Sequence, residues 1–313
     1  MDNKIAIIDM GTNTFHLLLA EADEKGYHIT LRDRLAVKIG MGGINQGIIT
    51  EEGIHRALVA MQSFKNSIQQ YGATRTYAFG TSALRNARNN AEVARRIKEL
   101  TDIDINIISG DLEAEYIYRG VKAALHLESE KSLIIDIGGG SVEFIIGDND
   151  RIFWKQSLEI GAQRLMERFQ KSDPIQPEEL AALDKHFQES LVPVFEALKK
   201  FPTPILVGSS GTFDTLSDIF CVRYDIHKAA EEVETPLTIE GFYEIYHELL
   251  KKNRQQRMQI PGMIEMRVDM IVVASCMIRY LLQHHAFNRI RVSTYSLKEG
   301  VLATLIGEMK LTA

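Results

Sequence analysis

Two stretches of the chain share one hydrophobic pattern. Residues 7–20 read IIDMGTNTFHLLLA and residues 134–147 read IIDIGGGSVEFIIG. Each is an apolar run ending in an acid, then a glycine-bearing turn, then a second apolar run, a pattern that predicts a β-hairpin. Ile7, Ile8, Asp9 and Gly11 recur as Ile134, Ile135, Asp136 and Gly138, and Thr14 is matched by Ser141. A repeat this widely spaced predicts two similar domains, because solenoid periods are shorter.

Helix and strand patterns alternate after each hairpin. Thr50 reads as an N-cap with Glu51 and Glu52 in the first turn, followed by a stripe of Ile54, Leu58, Met61, Phe64 and Ile68 and a stop at Gly72. Strands over 75–79 and 103–109 and helices over about 89–100 and 111–125 complete the first half. In the second half, 177–200 is predicted helical, with Pro177 in its first turn and a break near Pro193. A buried strand over 204–208 opens into a third glycine-bearing turn, GSSGT at 208–212. Helices over 238–252 and 264–286, a strand over 289–293 and a last helix to about Lys310 follow, with loops at 170–177, 222–237 and 253–262. The alternation predicts an α/β protein of two related domains with a cleft between them. The expected bounds are 1–124 and 125–299, with a C-terminal helix over 300–313 returning to the first domain.

Strand parity places chemistry at the turns. Ser141, Glu143 and Ile145 share one face of the second hairpin, and Val142, Phe144 and Ile146 share the other. Ser141 and Glu143 therefore stand together just past the glycines, with Asp136 nearby. Three glycines let backbone amides approach an anion closely. Two carboxylates would repel a phosphate unless a cation lay between them, and Mg²⁺ favours one or two carboxylates plus phosphate oxygens and waters. A plain hairpin using its glycines only for a tight turn is the alternative for any one copy. The second copy at Asp9–Thr14 and the third turn at 208–212 favour phosphate binding.

Composition narrows the ligand's options. The 313 residues are 45% hydrophobic and 25% charged, an ordinary globular balance. The formal net charge of −6 argues against broad, charge-driven nucleic-acid binding. An anionic ligand must then be held by local groups: backbone amides, a few arginines or a metal. Cys221 and Cys276 lack metal-site spacing and cannot build a disulfide framework, so they read as reduced thiols. MIVVASCMI at 270–278 is too short to span a bilayer and reads as a buried helix. The apolar run at KIAIID is too short for a signal core, so a cytoplasmic location without membrane partners is expected. Lys251, Lys252, Arg254 and Arg257 read as the solvated, cation-favouring end of a helix.

DMGTNTFHLL, DIGGGSVEFIIG and VGSSGT resemble the two phosphate motifs and the adenosine-type motif of the actin, Hsp70 and sugar-kinase superfamily. Within it the chain is most similar to the exopolyphosphatase and guanosine pentaphosphate phosphohydrolase (Ppx/GppA) family. GTSALRNA at 80–87, IISGDLEAEYIYRGV at 107–121 and MRVDMIV at 266–272 carry the likeness over nearly the whole chain. The resemblance implies two ribonuclease-H-like (actin-like ATPase) domains around a central interdomain cleft, and Mg²⁺ as cofactor. It implies hydrolysis of the terminal phosphate of polyphosphate by water. Removal of the 5′-phosphate of guanosine pentaphosphate (pppGpp) is the near alternative. A small-molecule kinase and a non-catalytic nucleotide-binding protein are more distant ones. Polyphosphate or a (p)ppGpp-type nucleotide is the implied partner, and a homodimer is compatible with it.

The resemblance also assigns residues. Glu113, in SGDLEAE, matches the catalytic base, although a first-turn acid also complements a helix dipole. Asp136 and Glu143 match the Mg²⁺-linked acids, with Asp9 as an additional member acting through water. Gly11, Thr12, Asn13 and Thr14 would cradle one set of phosphate oxygens, and Gly138, Gly139, Gly140 and Ser141 another. Ser210, Gly211 and Thr212 would close a third side, and Arg85 matches a family arginine whose fork suits phosphate. Two departures stand out. Leu112 replaces an acid common beside the catalytic glutamate, and STYSLKEG at 293–300 replaces a Ser-Asp-Gly-type turn. The length is that of the short, two-domain form.

Overall fold

The computed structural model describes residues 4–23, 26–127, 129–229 and 231–312. The chain opens with an antiparallel meander of β1 (Lys4–Met10), β2 (Thr14–Asp23) and β3 (Gly26–Ala36). There follow α1 (Glu51–Tyr71), β4 (Arg75–Gly80), α2 (Ser82–Asn86), α3 (Asn90–Thr101), β5 (Ile105–Ile107) and α4 (Gly110–Ala124). These strands form a sheet in the order β3-β2-β1-β4-β5, with β4 and β5 parallel to β1.

A second meander, β6 (Ser132–Ile137), β7 (Val142–Gly147) and β8 (Ile152–Leu158), repeats the plan. After it come α5 (Ala162–Phe169), α6 (Pro177–Ser190), α7 (Val192–Lys200), β9 (Ile205–Ser209) and α8 (Ser210–Arg223). The chain ends with β10 (Glu234–Thr235), α9 (Ile239–Lys251), α10 (Arg254–Arg257), α11 (Ile271–His284), β11 (Arg289–Ser293) and α12 (Leu297–Thr312). The second sheet runs β10-β11-β9-β6-β7-β8. Its β6, β7, β8, β9 and β11 stand where β1, β2, β3, β4 and β5 stand in the first, so the sequence repeat is a structural one.

Local chemistry explains the element ends that matter. The Thr50 hydroxyl accepts from the Gly53 amide at 3.1 Å to start α1, and Gly72 stops it at φ +75°. Ser109 caps α4 by accepting from the Leu112 amide at 3.2 Å, which fixes Glu113 at the mouth of that helix. β6 and β7 are buried along their whole length, as apolar central strands require.

Three apolar clusters organise the molecule. One, with Ile8, Phe15, Met61 and Phe64, lies between the first sheet and α1 and α3. Another, with Phe144, Phe187, Phe213 and Phe242, lies on the far side of the second sheet. The third joins the sheets: Ile7 and Leu18 of one and Ile134 and Ile145 of the other pack with Ile117 and Val121 of α4 and Val301 and Leu302 of α12. α4 and α12 are thus the shared floor of the two lobes, and β7 parity is as expected: Ile145 faces that floor while Phe144 faces away.

Some expectations are corrected. β3 and β8 complete each meander but carry too little apolar alternation to be read as strands, since β8 is half-buried throughout. α11 begins at Ile271, not 264, because 264–270 is spent in turns such as Arg267 N to Ile264 O. The loops predicted at 222–237 and 253–262 contain β10 and the single-turn α10. GSSGT is not a free turn: β9 runs through Ser209, and Ser210, at φ +67°, starts α8. The short helices α2 and α5 went unread.

Candidate active site

The two acid-ended strands set the walls of the cleft. Asp9 lies opposite His16 across β1 and β2, and Asp136 lies opposite Glu143 across β6 and β7. The turns beyond them, 11–14 and 138–141, face each other across a crevice lined also by Ser82, Glu113, Ser210, Arg267 and Ser296. Three of the hydroxyl and amide oxygens offered by the first turn, Thr12 Oγ1, Asn13 Oδ1 and Thr14 Oγ1, are buried without a hydrogen-bond partner. Buried polar atoms are normally satisfied, so an unpartnered set in one crevice marks a place where a polar ligand belongs.

The glycines of the second turn answer to space. None of Gly138, Gly139 or Gly140 has a positive φ, so the backbone itself does not demand glycine there. A Cβ on Gly139 would stand 2.5 Å from the Asn13 amide nitrogen, and one on Gly140 would stand 2.5 Å from both Thr12 Oγ1 and Ser82 Oγ. The turns meet across the lobe boundary so closely that side chains are excluded, which exposes main chain to whatever lies between them.

Four carboxylates share this crevice: Asp9, Glu113, Asp136 and Glu143. Burial, then the adjacent Asp136, pushes Glu143 up to about 8, against hydrogen bonds from Ser157 and Ser141. Burial pushes Asp9 up to about 7; Asp136 and Glu299 add to this and Lys298 opposes it. Glu113 is held well above the usual carboxylate range by burial and by Glu143, against the pull of Arg85. Asp136 is tethered by two serines: Ser210 Oγ donates to Oδ1, and Ser296 Oγ donates to Oδ2 at 2.6 Å. Ser157 Oγ donates to Glu143 at 2.6 Å. Among the described residues, no three His, Cys, Asp or Glu side chains form a ready metal cage. The facing Asp136 and Glu143 instead suit a hard cation that keeps waters and takes phosphate oxygens as its other ligands. Such a cation would offset the repulsion from Asp136 that helps to raise Glu143.

The remaining assigned residues are placed unevenly. Gly11, Thr12, Asn13, Thr14, Gly138, Gly139, Gly140, Ser141 and Ser210 line the crevice. Gly211 and Thr212 stand back from it in the first turn of α8, where Gly211 packs against the Arg267 guanidinium. Arg85 also stands behind the lining. Its side chain is only 17% exposed, which removes a solvated surface role, and Nη1 donates to Glu113 Oε2 at 2.7 Å while Nη2 reaches Glu159 Oε1 at 3.2 Å. His16, Ser82, Arg267 and Ser296 were not singled out. Parity across β1 and β2 puts His16 beside Asp9, and the MRVDMIV, GTSALRNA and STYSLKEG stretches hold Arg267, Ser82 and Ser296 without saying which of their residues reach the cleft.

Comparison with known proteins decides the family. The Ppx/GppA phosphatase family profile matches residues 18–309. The chain belongs to the Ppx/GppA phosphatase family. It is therefore an enzyme of the type that hydrolyses phosphoric anhydrides. An exopolyphosphatase structure from Cytophaga hutchinsonii superposes with a TM-score of 0.95 at 42% identity, over 97% of this chain and 98% of that one. A Haemophilus influenzae relative, provisionally named an exopolyphosphatase, is 28% identical over 96% of this chain and 91% of its own length. A guanosine-5′-triphosphate,3′-diphosphate pyrophosphatase of Pseudoalteromonas translucida is 26% identical over 98% of this chain, which spans 60% of that relative's length. The Aquifex aeolicus Ppx/GppA structure, with a TM-score of 0.80 at 24% identity, shares the two-lobed fold. Among the described residues no helix is long and apolar enough to cross a membrane.

Proposed function

We propose that this Ppx/GppA phosphatase is an exopolyphosphatase that transfers the terminal phosphoryl group of inorganic polyphosphate to water. The observation that carries the reading is Glu113: a buried carboxylate at the N-terminus of α4, on the wall of a crevice bounded by two facing main-chain turns. Phosphoryl transfer passes through a loose transition state, so positioning and charge stabilisation supply most of the catalysis. Backbone amides of 11–14 and 138–141 bind the phosphate chain, aided by the free hydroxyls of Thr12 and Thr14. Glu113 accepts a proton from water in line with the terminal phosphorus, and burial beside Glu143 makes it a stronger base than an exposed carboxylate. Asp136 and Glu143 would hold Mg²⁺, with Asp9 linked through water. When bound, Mg²⁺ offsets charge on the transferred and leaving phosphates. The 42% identity to a protein named as an exopolyphosphatase favours this substrate over the guanosine pentaphosphate implied by the more distant pyrophosphatase relative. A cytoplasmic site of action fits the two buried free thiols, Cys221 and Cys276.

Parallel phosphate-release assays on long-chain polyphosphate, guanosine pentaphosphate and ATP test the reading. Polyphosphate is expected to have the highest kcat/KM. A preference for guanosine pentaphosphate would replace the substrate but keep the chemistry. ATP turnover that requires an added acceptor would replace hydrolysis with a kinase reaction.

A further inference from the structure

Glu159, in the loop between β8 and α5, belongs to neither phosphate turn and is not among the acids discussed above. Its carboxylate nevertheless gathers donors from both lobes. Oε2 accepts from Ser82 Oγ at 2.6 Å and from Arg164 Nη2 at 3.0 Å, and Oε1 accepts from Arg85 Nη2 at 3.2 Å. Arg85 uses its other amine on Glu113, at 2.7 Å, and on the Ile108 carbonyl, at 3.2 Å. Arg164 donates Nε to the Gly140 carbonyl and Nη1 to the Ile44 carbonyl, both at 2.8 Å. A continuous chain of alternating charge thus runs from Glu113 through Arg85, Glu159 and Arg164 to the main chain of the 138–141 turn.

We infer that Glu159 is a positioning residue that aligns the catalytic carboxylate on α4 with the phosphate turn at 138–141. The inference rests on the hydrolase reading of the cleft. Glu113 stands on α4, the helix packed between the lobes, and Gly140 in the turn of the second lobe, and in-line attack needs them in fixed register. Arg85 presents its two amines in a rigid fork. With one tine on Glu159, the other is directed at Glu113; without Glu159 the guanidinium is held at Nη1 alone, by Glu113 and the Ile108 carbonyl, and its plane can swing about that end. Glu159 is 38% exposed at its side chain, so its partners, not burial, hold it. The lobes have a second seam, on the same helix α5, that does not use Glu159. Glu167 accepts from the Gly42 amide and from Asn45, both at 3.1 Å. Loss of Glu159 therefore leaves the cleft closed but misaligned, and the penalty falls on turnover more than on binding.

The test compares full-length wild type, Glu159→Gln, Arg164→Met and the double variant on polyphosphate and guanosine pentaphosphate. Misplacement of about 1 Å costs up to roughly 100-fold, so a fall in kcat of about 10- to 100-fold is expected in each single variant, with KM within about threefold of wild type. The double variant is expected to be no slower than the worse single, because both break one chain. A Glu159→Gln kcat within about twofold of wild type, a change in KM alone, or multiplied penalties in the double variant would overturn the inference. Wild type inactive on both substrates would instead refute the hydrolase reading. Amide hydrogen exchange by mass spectrometry then still tests the coupling: Glu159→Gln should quicken exchange in both 109–115 and 138–141, and unchanged exchange in either segment would overturn it.

Discussion

A carboxylate buried as deeply as Glu143 is tolerable without a cation only while it holds a proton. In the metal-free folded protein it keeps that proton up to about pH 8, whereas in the unfolded chain it loses it near 4.5. Between those values the native state binds more protons than the unfolded one, so Glu143 makes stability fall as pH rises. The expected result is that metal-free wild type and Glu143→Gln melt alike near pH 4, and that wild type loses ground steadily toward pH 8. Mg²⁺ added at pH 8 should restore wild type and leave Glu143→Gln little changed. A constant difference across that range, measured by calorimetry, would remove Glu143 as a proton-or-metal site. Asp136→Asn should raise the Mg²⁺ concentration needed for half-maximal phosphate release; an identical titration would argue against its metal role.

The elements show why the turns and the central helices tolerate little change. A methyl on Gly140 meets Thr12 Oγ1 and Ser82 Oγ at 2.5 Å, and forced overpacking costs about 1–3 kcal/mol. Gly140→Ala is expected to push the lobes apart, to lower stability by about 1–3 kcal/mol in urea unfolding and to lower kcat/KM at temperatures where the variant is still fully folded. Leu302, fully buried where α12 joins both sheets, is a structural counterpart. Leu302→Ala should cost about 2–5 kcal/mol in urea unfolding. The elements the sequence reveals are those whose pattern is self-contained. α1 carries its own cap, stripe and stop, and the two hairpins repeat each other. β3 and β8 are legible only through their neighbours, because edge-side strands with mixed burial lack a period of their own. α11 was overextended for a related reason: Ile264 and Met266 continue its apolar run, yet those residues lie in turns that bring Arg267 to the cleft.

At the scale of the whole molecule, the crevice is built on a structural repeat. Two copies of one strand–turn–strand unit face each other, and the repeat that predicts two domains also predicts two phosphate turns. That half of the site was legible because each copy holds its residues within a few positions. The other half was not, because Ser82, Glu159, Arg267 and Ser296 come from distant stretches of the chain and are gathered around the crevice only by the tertiary fold. The two lobes share α4, which carries Glu113 into the crevice, so the proposed base and the packing between the lobes depend on one helix. The most direct test of the account is orthophosphate release from long-chain polyphosphate by wild type and Glu113→Gln, with substrate binding measured on the same samples. The account predicts near-normal binding and a loss of turnover of about 10²–10⁴-fold. Wild-type turnover in Glu113→Gln would contradict it.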